Sequence, residues 1–319
     1  MTINRRFLYW GVFLAAAGAV MLVAQGGAID DDALAQALRL WPVVVIALGV
    51  GLLLRRTRLA LAGGLVAATM PGLLLGGLVV AAPRIVPDCA DIQPASLATR
   101  QGTFDGAASV DLKFACGELT VTTTPGDGWR LETGNDAGAT ATIHAAADRL
   151  SVTASNEGRS FGFARGRNTW RLALPTATTL DLAVEVDAGR GRLDLVGARL
   201  GTVRLVANAA DMQVDLAGAT VADLSLSANA ARVSLSLPAT GDLTATVAVN
   251  ASALRLCAPS GLGLRIRHEG VLDATTFSGL VRNGGAWESP DYATAIHHAD
   301  VTATVNVGSV DVNPVGGCQ

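Results

Sequence analysis

Val203-Arg204-Leu205-Val206-Ala207-Asn208-Ala209-Ala210 is followed, 21 residues on, by Leu224-Ser225-Leu226-Ser227-Ala228-Asn229-Ala230-Ala231. Asp187-Ala188-Gly189 upstream and Asn250-Ala251-Ser252 downstream keep the same phase. The apolar columns keep it too. Leu182, Val203, Leu224 and Ala245 line up, as do Val184, Leu205, Leu226 and Val247, and Leu193, Val214, Leu235 and Leu256. Self-similarity at this period marks a solenoid, whose coils bury their apolar faces only by stacking on one another. Within a coil, Leu180, Leu182, Val184 and Val186 share one face while Asp181, Ala183, Glu185 and Asp187 share the other. That alternation predicts strands. Each coil is expected to hold two strands and two turns, with like strands pairing in parallel. The recurring acidic or amide residue, Asp187, Asn208, Asn229 and Asn250, is expected to be a structural corner with side-chain amides stacked as a ladder.

Working outward, the text changes toward the amino terminus. The 319-residue chain is 50% hydrophobic and 16% charged, against about 25% charged in ordinary soluble domains. The apolar excess lies in residues 1–83, and three runs there, about 7–24, 38–54 and 59–82, approach the roughly 20 residues that a spanning helix needs. Pro71 interrupts the last run. Arg5 and Arg6 precede the first, Arg55, Arg56 and Arg58 separate the second and third, and Asp30, Asp31 and Asp32 lie between the first two. Positive-inside reasoning then puts the amino terminus in the cytoplasm and everything after Pro83 outside. The overall charge is −3 and residues 1–83 carry an excess of arginine, so the rest is more acidic still. No nucleic-acid footprint is present.

Residues 84–100 read as a linker punctuated by Pro87 and Pro94, and 101–319 as the β-domain. Val110, Leu112 and Phe114 alternate before Cys116-Gly117-Glu118, and Trp129 and Leu131 follow Pro125-Gly126-Asp127-Gly128. Ser155 to Thr169, with Phe161, Phe163, Arg159, Arg165 and Arg167, reads as a long loop or hairpin tip. After Ala258 the period loosens. Val301-Thr302-Ala303-Thr304-Val305 echoes Leu243-Thr244-Ala245-Thr246-Val247, which puts Gly308 at the phase of Asn250. The intervening stretch, about 279–300, contains Trp287, Pro290 and Tyr292 and is expected to cap the end of the stack, as solenoids require.

Cys89, Cys116, Cys257 and Cys318 are even in number and contain no CxxC pair, which favours structural disulfides in an oxidising compartment. Three connectivities are open. A metal site would need His297, His298 and a carboxylate such as Asp300, but neighbouring residues on a strand point opposite ways. Gly189-Arg190-Gly191 opens no helix and lacks the lysine of a phosphate loop. No serine is framed as a nucleophile. Asn250-Ala251-Ser252 matches a glycosylation sequon by coincidence with a corner. No catalytic residue, cofactor or metal is expected.

The segment Leu40-Trp41-Pro42-Val43-Val44-Val45-Ile46-Ala47-Leu48-Gly49, closed by Arg55-Arg56, resembles the LiaI/LiaF-type transmembrane region, and the β-repeats resemble the toast-rack, or adhesin-type, domains that accompany it. The resemblance implies a bacterial protein with a regulatory or sensory role in the response to cell-wall stress, LiaF-type proteins restraining a partner sensor kinase. LiaF-type proteins can have four spans, and this chain departs from them in showing three. The expectation is therefore a non-enzymatic multi-pass protein of the cytoplasmic membrane. Three helical spans would carry an extracytoplasmic parallel β-solenoid of stacked two-stranded coils. The lipid bilayer and a sensor kinase or other envelope protein would be its partners. An adhesin-like surface-binding module is the alternative.

Overall fold

A computed structural model describes residues 11–12, 14–15, 69, 89, 96–154 and 166–318. The chain divides into two units, Met1–Asp88 and Cys89–Gln319. The few described residues of the first are helical. Among the described residues no helix is long and apolar enough to cross a membrane. The described fold of the second unit is all-β. This corrects the expected fold class, a three-span helical region joined to a solenoid: the β part stands without the spans. Apart from residues 11–12, 14–15 and 69, the runs at 7–24, 38–54 and 59–82 lie outside the described residues, as does most of the 155–169 loop.

The second unit opens with β1 (Ala98–Thr103), β2 (Ala108–Thr124), β3 (Gly128–Asn135), β4 (Thr142–Ala146), β5 (Arg149–Thr153) and β6 (Asn168–Pro175). The repeat supplies β7 (Thr179–Asp194), β8 (Arg199–Asp215), β9 (Thr220–Asn229), β10 (Arg232–Ser236) and β11 (Leu243–Cys257). The chain ends with β12 (Leu262–Phe277), β13 (Val281–Asn283), β14 (Ala286–Glu288) and β15 (His297–Val312). The 21-residue period is the register between coils. Val184 pairs with Leu205, Leu205 with Leu226 and Leu226 with Val247, all in parallel. These columns are buried, and their burial is the main force holding coil to coil.

The coils depart from the expected pair of separate strands. β2, β7, β8, β11, β12 and β15 each run unbroken through the corner, while the β5/β6 and β9/β10 coils are divided there. At most corners one residue takes a positive φ: Gly117 in β2, Gly189 in β7, Ala230 between β9 and β10, Ala251 in β11 and Gly308 in β15, while β8 and β12 bend without one. The glycines are obligatory for a second reason. A Cβ on Gly189 would run into the Gly117 backbone, and one on Gly117 into the Asn168 backbone. The alanines adopt a left-handed geometry that costs roughly 1–2 kcal/mol for a residue with a Cβ.

Spatial order differs from chain order at both ends. β2 lies between the β5/β6 coil and β7, and β15 lies between β11 and β12. The late echo is thus a coil inserted inside the stack. Its offset from β11 is also two residues shorter than the sequence suggests: Ala245 pairs with Val301, and Gly308 pairs with Ser252. Alternation has a period of two, so a slip of two residues leaves the inward and outward pattern unchanged. Antiparallel strands cover the outer coils. β4 pairs β5, β3 pairs β6 and β1 pairs β3 at one end, while β14 pairs Arg265 and Ile266 of β12 at the other.

Aromatic residues close the core where the stack ends. Phe114 meets Trp170 edge-on at 5.1 Å and Phe104 lies 6.4 Å from Trp129, while Phe277 stacks on Trp287 at 4.8 Å. Between β2 and β12 the buried core holds no aromatic ring among the described residues. Outside, Glu118, Arg190, Asp211 and Arg232 occupy successive rungs of one column, alternating in sign. Opposite charges on adjacent strands favour this register over its neighbours.

Two substitutions test the corner. Ala230→Gly should raise the stability by up to about 1 kcal/mol in urea unfolding, because it relieves the left-handed alanine. Gly189→Ala should cost more than about 2 kcal/mol, because backbone must move to admit the methyl group.

Candidate functional site

The corner residues form one column of side chains. The Asn208 amide donates to Asp187 Oδ1 at 2.8 Å, Asn229 to Asn208 Oδ1 at 3.1 Å, and Asn250 to Asn229 Oδ1 at 2.9 Å. A fifth member, Asn306 of β15, donates to Asn250 Oδ1 at 2.5 Å. Sequence reasoning missed Asn306 because it counted the late coil two residues out of register. The signal was an asparagine one residue after Val305, in the strand that echoes β11. The column ends at Asp187 because Ala188 pairs with Cys116, which leaves Ala115 of β2 at the next position.

This geometry decides what the column can do. Each internal amide both donates and accepts along the stack, so its capacity for a ligand is largely consumed. The sequon is consumed likewise. Asn250 is held between Asn229 and Asn306, and the Ser252 hydroxyl donates to the Asn250 carbonyl at 2.9 Å while accepting from the Ala231 N–H at 2.9 Å.

The cysteines pair as Cys89–Cys116 and Cys257–Cys318. The first bond ties the chain ahead of β1 to the corner of β2, and the second ties the end of β11 to the segment after β15. Each therefore anchors a strand near one that is inserted out of chain order. Near the first disulfide, the Asn135 amide donates to Asn168 Oδ1 at 3.0 Å and the Asn168 amide to the Cys116 carbonyl at 3.2 Å. Arg167 donates from both its backbone N–H and its Nε to Asp136, at 2.6 and 2.7 Å. Burial alone raises the Asp136 pKa, but the hydrogen bonds and charge of Arg167 outweigh it and hold the carboxyl below its ordinary 3.8.

The histidines do not converge. His144 is exposed on β4, and His297 and His298 pair with successive residues of β12. His298 Nε2 lies 3.0 Å from the Tyr292 carbonyl, so that nitrogen carries the proton, and the His298 backbone N–H donates to Asp242 at 2.9 Å. Asp300, the carboxylate a metal would have needed, accepts instead from the Tyr292 hydroxyl at 3.3 Å and faces Arg265 at 3.6 Å. Among the described residues no group of three His, Cys, Asp or Glu side chains can hold a metal ion.

Around Arg265 the polar groups form a closed cluster at the carboxyl-terminal end. Arg265 donates to Glu288 at 2.7 Å and lies over the Tyr292 ring at 4.0 Å. Hydrogen bonds from Asn283 and then Arg265 hold Glu288 below the usual carboxylate range, and Glu288 in turn raises the arginine. Burial, then the Asp300 charge, pushes the Tyr292 phenol up. Sequence reasoning placed Trp287 and Tyr292 in a cap but did not see this cluster, because its members come from β12, β13, β14, β15 and the turn before β15.

Residues 100–236 match the family described as "N-terminal domain of toast_rack, DUF2154". This stretch runs from β1, in all but its first residues, through β10. Two solved structures are similar. One is a "putative cell adhesion protein" from Clostridium sporogenes, 13% identical, covering 68% of this chain and 99% of its own with a TM-score of 0.43. The other is a "putative adhesin" from Bacteroides fragilis, 9% identical, covering 70% of this chain and 100% of its own with a TM-score of 0.31. No curated protein matches the chain.

Asn229→Ala should lower the stability by about 1–3 kcal/mol, since it leaves the Asn250 donor and the Asn208 acceptor without partners. Thermal melts of the variant check this. The Asp136–Arg167 latch should also contribute to acid sensitivity. A carboxyl depressed in the folded state adds stability that is present above its unfolded pKa and lost as the pH falls through its folded pKa. Asp136→Asn should therefore flatten the stability profile below about pH 4 while lowering stability at neutral pH, as read by urea unfolding across that range.

Proposed function

We propose that the β-domain is a non-enzymatic recognition module, displayed on the oxidising, extracytoplasmic face of the cytoplasmic membrane. Its role is regulatory or sensory in the response to cell-envelope stress, exercised through contact with another envelope protein such as a sensor kinase. The observation that carries the placement is the pair of disulfides, which use all four cysteines, because structural disulfides persist where the surroundings are oxidising. The apolar composition of residues 1–83 supports attachment at the membrane. A non-enzymatic role is supported by the use of the ordered polar side chains: the amide column, the Arg265 cluster and the Asp136 latch spend them on the scaffold.

The regulatory assignment rests on the resemblance to toast-rack proteins of the stress response. A second reading, adhesion to a surface polymer, is favoured by one feature, the aromatic-lined hollow at the carboxyl-terminal end of the stack. Crosslinking in living cells should recover a membrane protein in contact with the β-domain, and a deletion strain should respond differently to cell-wall-active antibiotics. Unchanged antibiotic response with altered attachment would replace the regulatory reading by the adhesive one. The placement has its own test. Cys257→Ser with Cys318→Ser should cost about 2–5 kcal/mol in unfolding experiments. An impermeant thiol reagent applied after reduction should label the wild-type cysteines in intact cells. Protection until the membrane is breached would put the domain on the other side.

A further inference from the structure

The last coil differs from those beneath it in what it turns inward. The column Val184, Leu205, Leu226, Val247 and Ala303 ends in His268. The column Leu193, Val214, Leu235, Leu256 and Val312 ends in Phe277, and the column Met212, Val233, Leu254 and Val310 ends in Thr275. Aliphatic side chains thus give way to an imidazole, a phenyl ring and a hydroxyl at the top of the core. β14 contributes Trp287, whose ring lies nearly parallel to that of Phe277, with 19° between the planes. These four side chains and the exposed Arg282 line a hollow of about 470 Å³, within the roughly 300–1,000 Å³ of small-ligand sites.

His268 Nε2 is buried and faces Asp273 Oδ2 at 2.8 Å, which fixes the imidazole as one wall of the hollow. The rest of the lining narrows the ligand. Two stacked aromatic rings offer apolar surface to the C–H face of a sugar ring, the Thr275 hydroxyl can donate or accept, and an arginine matches a carboxylate with its fork of N–H groups.

We propose that this hollow binds an acidic saccharide, a pyranose ring bearing a carboxylate. The ring packs against Trp287 and Phe277, a hydroxyl bonds Thr275, and its carboxylate pairs with Arg282. This inference rests on the reading of the β-domain as a recognition module and adds the site and the ligand class.

Calorimetric titration of the full-length chain in detergent, with methyl β-D-glucuronide and with methyl β-D-glucoside, tests it. The glucuronide should bind more tightly than the neutral sugar. Arg282→Gln should weaken the glucuronide about tenfold, the loss expected for one charge-assisted hydrogen bond, and leave the glucoside unchanged. Thr275→Val should weaken both sugars. Thermal melts of the two variants keep a folding defect from being read as a binding defect. Equal binding of the two sugars, or glucuronide binding indifferent to both substitutions, would overturn the proposal. So would the absence of binding. If a crosslinked partner or an attachment phenotype persists in that last case, the hollow alone is rejected and the recognition module stands.

Discussion

The fold depends on a corner at which the chain bends while parallel pairing between coils holds on both sides of it. Parallel strands in a stack must turn at the same height, or the ladder breaks. At most of these corners a residue carries a positive φ, and from Asp187 to Asn306 the corner carries an amide or a carboxylate. The column from Asp187 to Asn306 pins neighbouring coils at a single phase. A slip by one residue would break each of these bonds and expose each apolar column at once. Hydrophobic burial supplies most of the energy, and the corner column supplies the uniqueness.

Stacks of this kind must end, and the two ends are handled alike. Aromatic rings replace the aliphatic columns, antiparallel strands cover part of the outer coil, and the outermost coil is not the one nearest the chain terminus. Covering an outer edge removes a template for unwanted strand pairing. β14 covers only Arg265 and Ile266 of β12, which leaves the carboxyl-terminal end the more open of the two and gives it the hollow beside Trp287.

How much was legible follows from the period. Where the repeat is regular, from Leu182 to Cys257, the apolar columns of the sequence are the columns of the structure. Where it loosens, the in-and-out alternation of β15 could be read but its register could not, so Asn306 was overlooked and Gly308 was set against Asn250 when its partner is Ser252. Strand order at the ends and the pairing of the four cysteines were closed to sequence reasoning, since both depend on contacts between distant segments. The Arg265 cluster was closed for the same reason. The helical spans were read from composition alone, and the described fold owes nothing to them.

The position of β15 has a consequence for how the chain is made. Synthesis is vectorial, and β12 leaves the ribosome before the strand that must lie between it and β11. A nascent chain that docked β12 directly onto β11 would have to open again to admit the newcomer, so this end of the stack can reach its final arrangement only once β15 has emerged. Cys318, which follows β15, then closes the arrangement by its bond to Cys257. The disulfide serves as a latch set after assembly, and a chain released early would lack both the middle strand and the means to lock it.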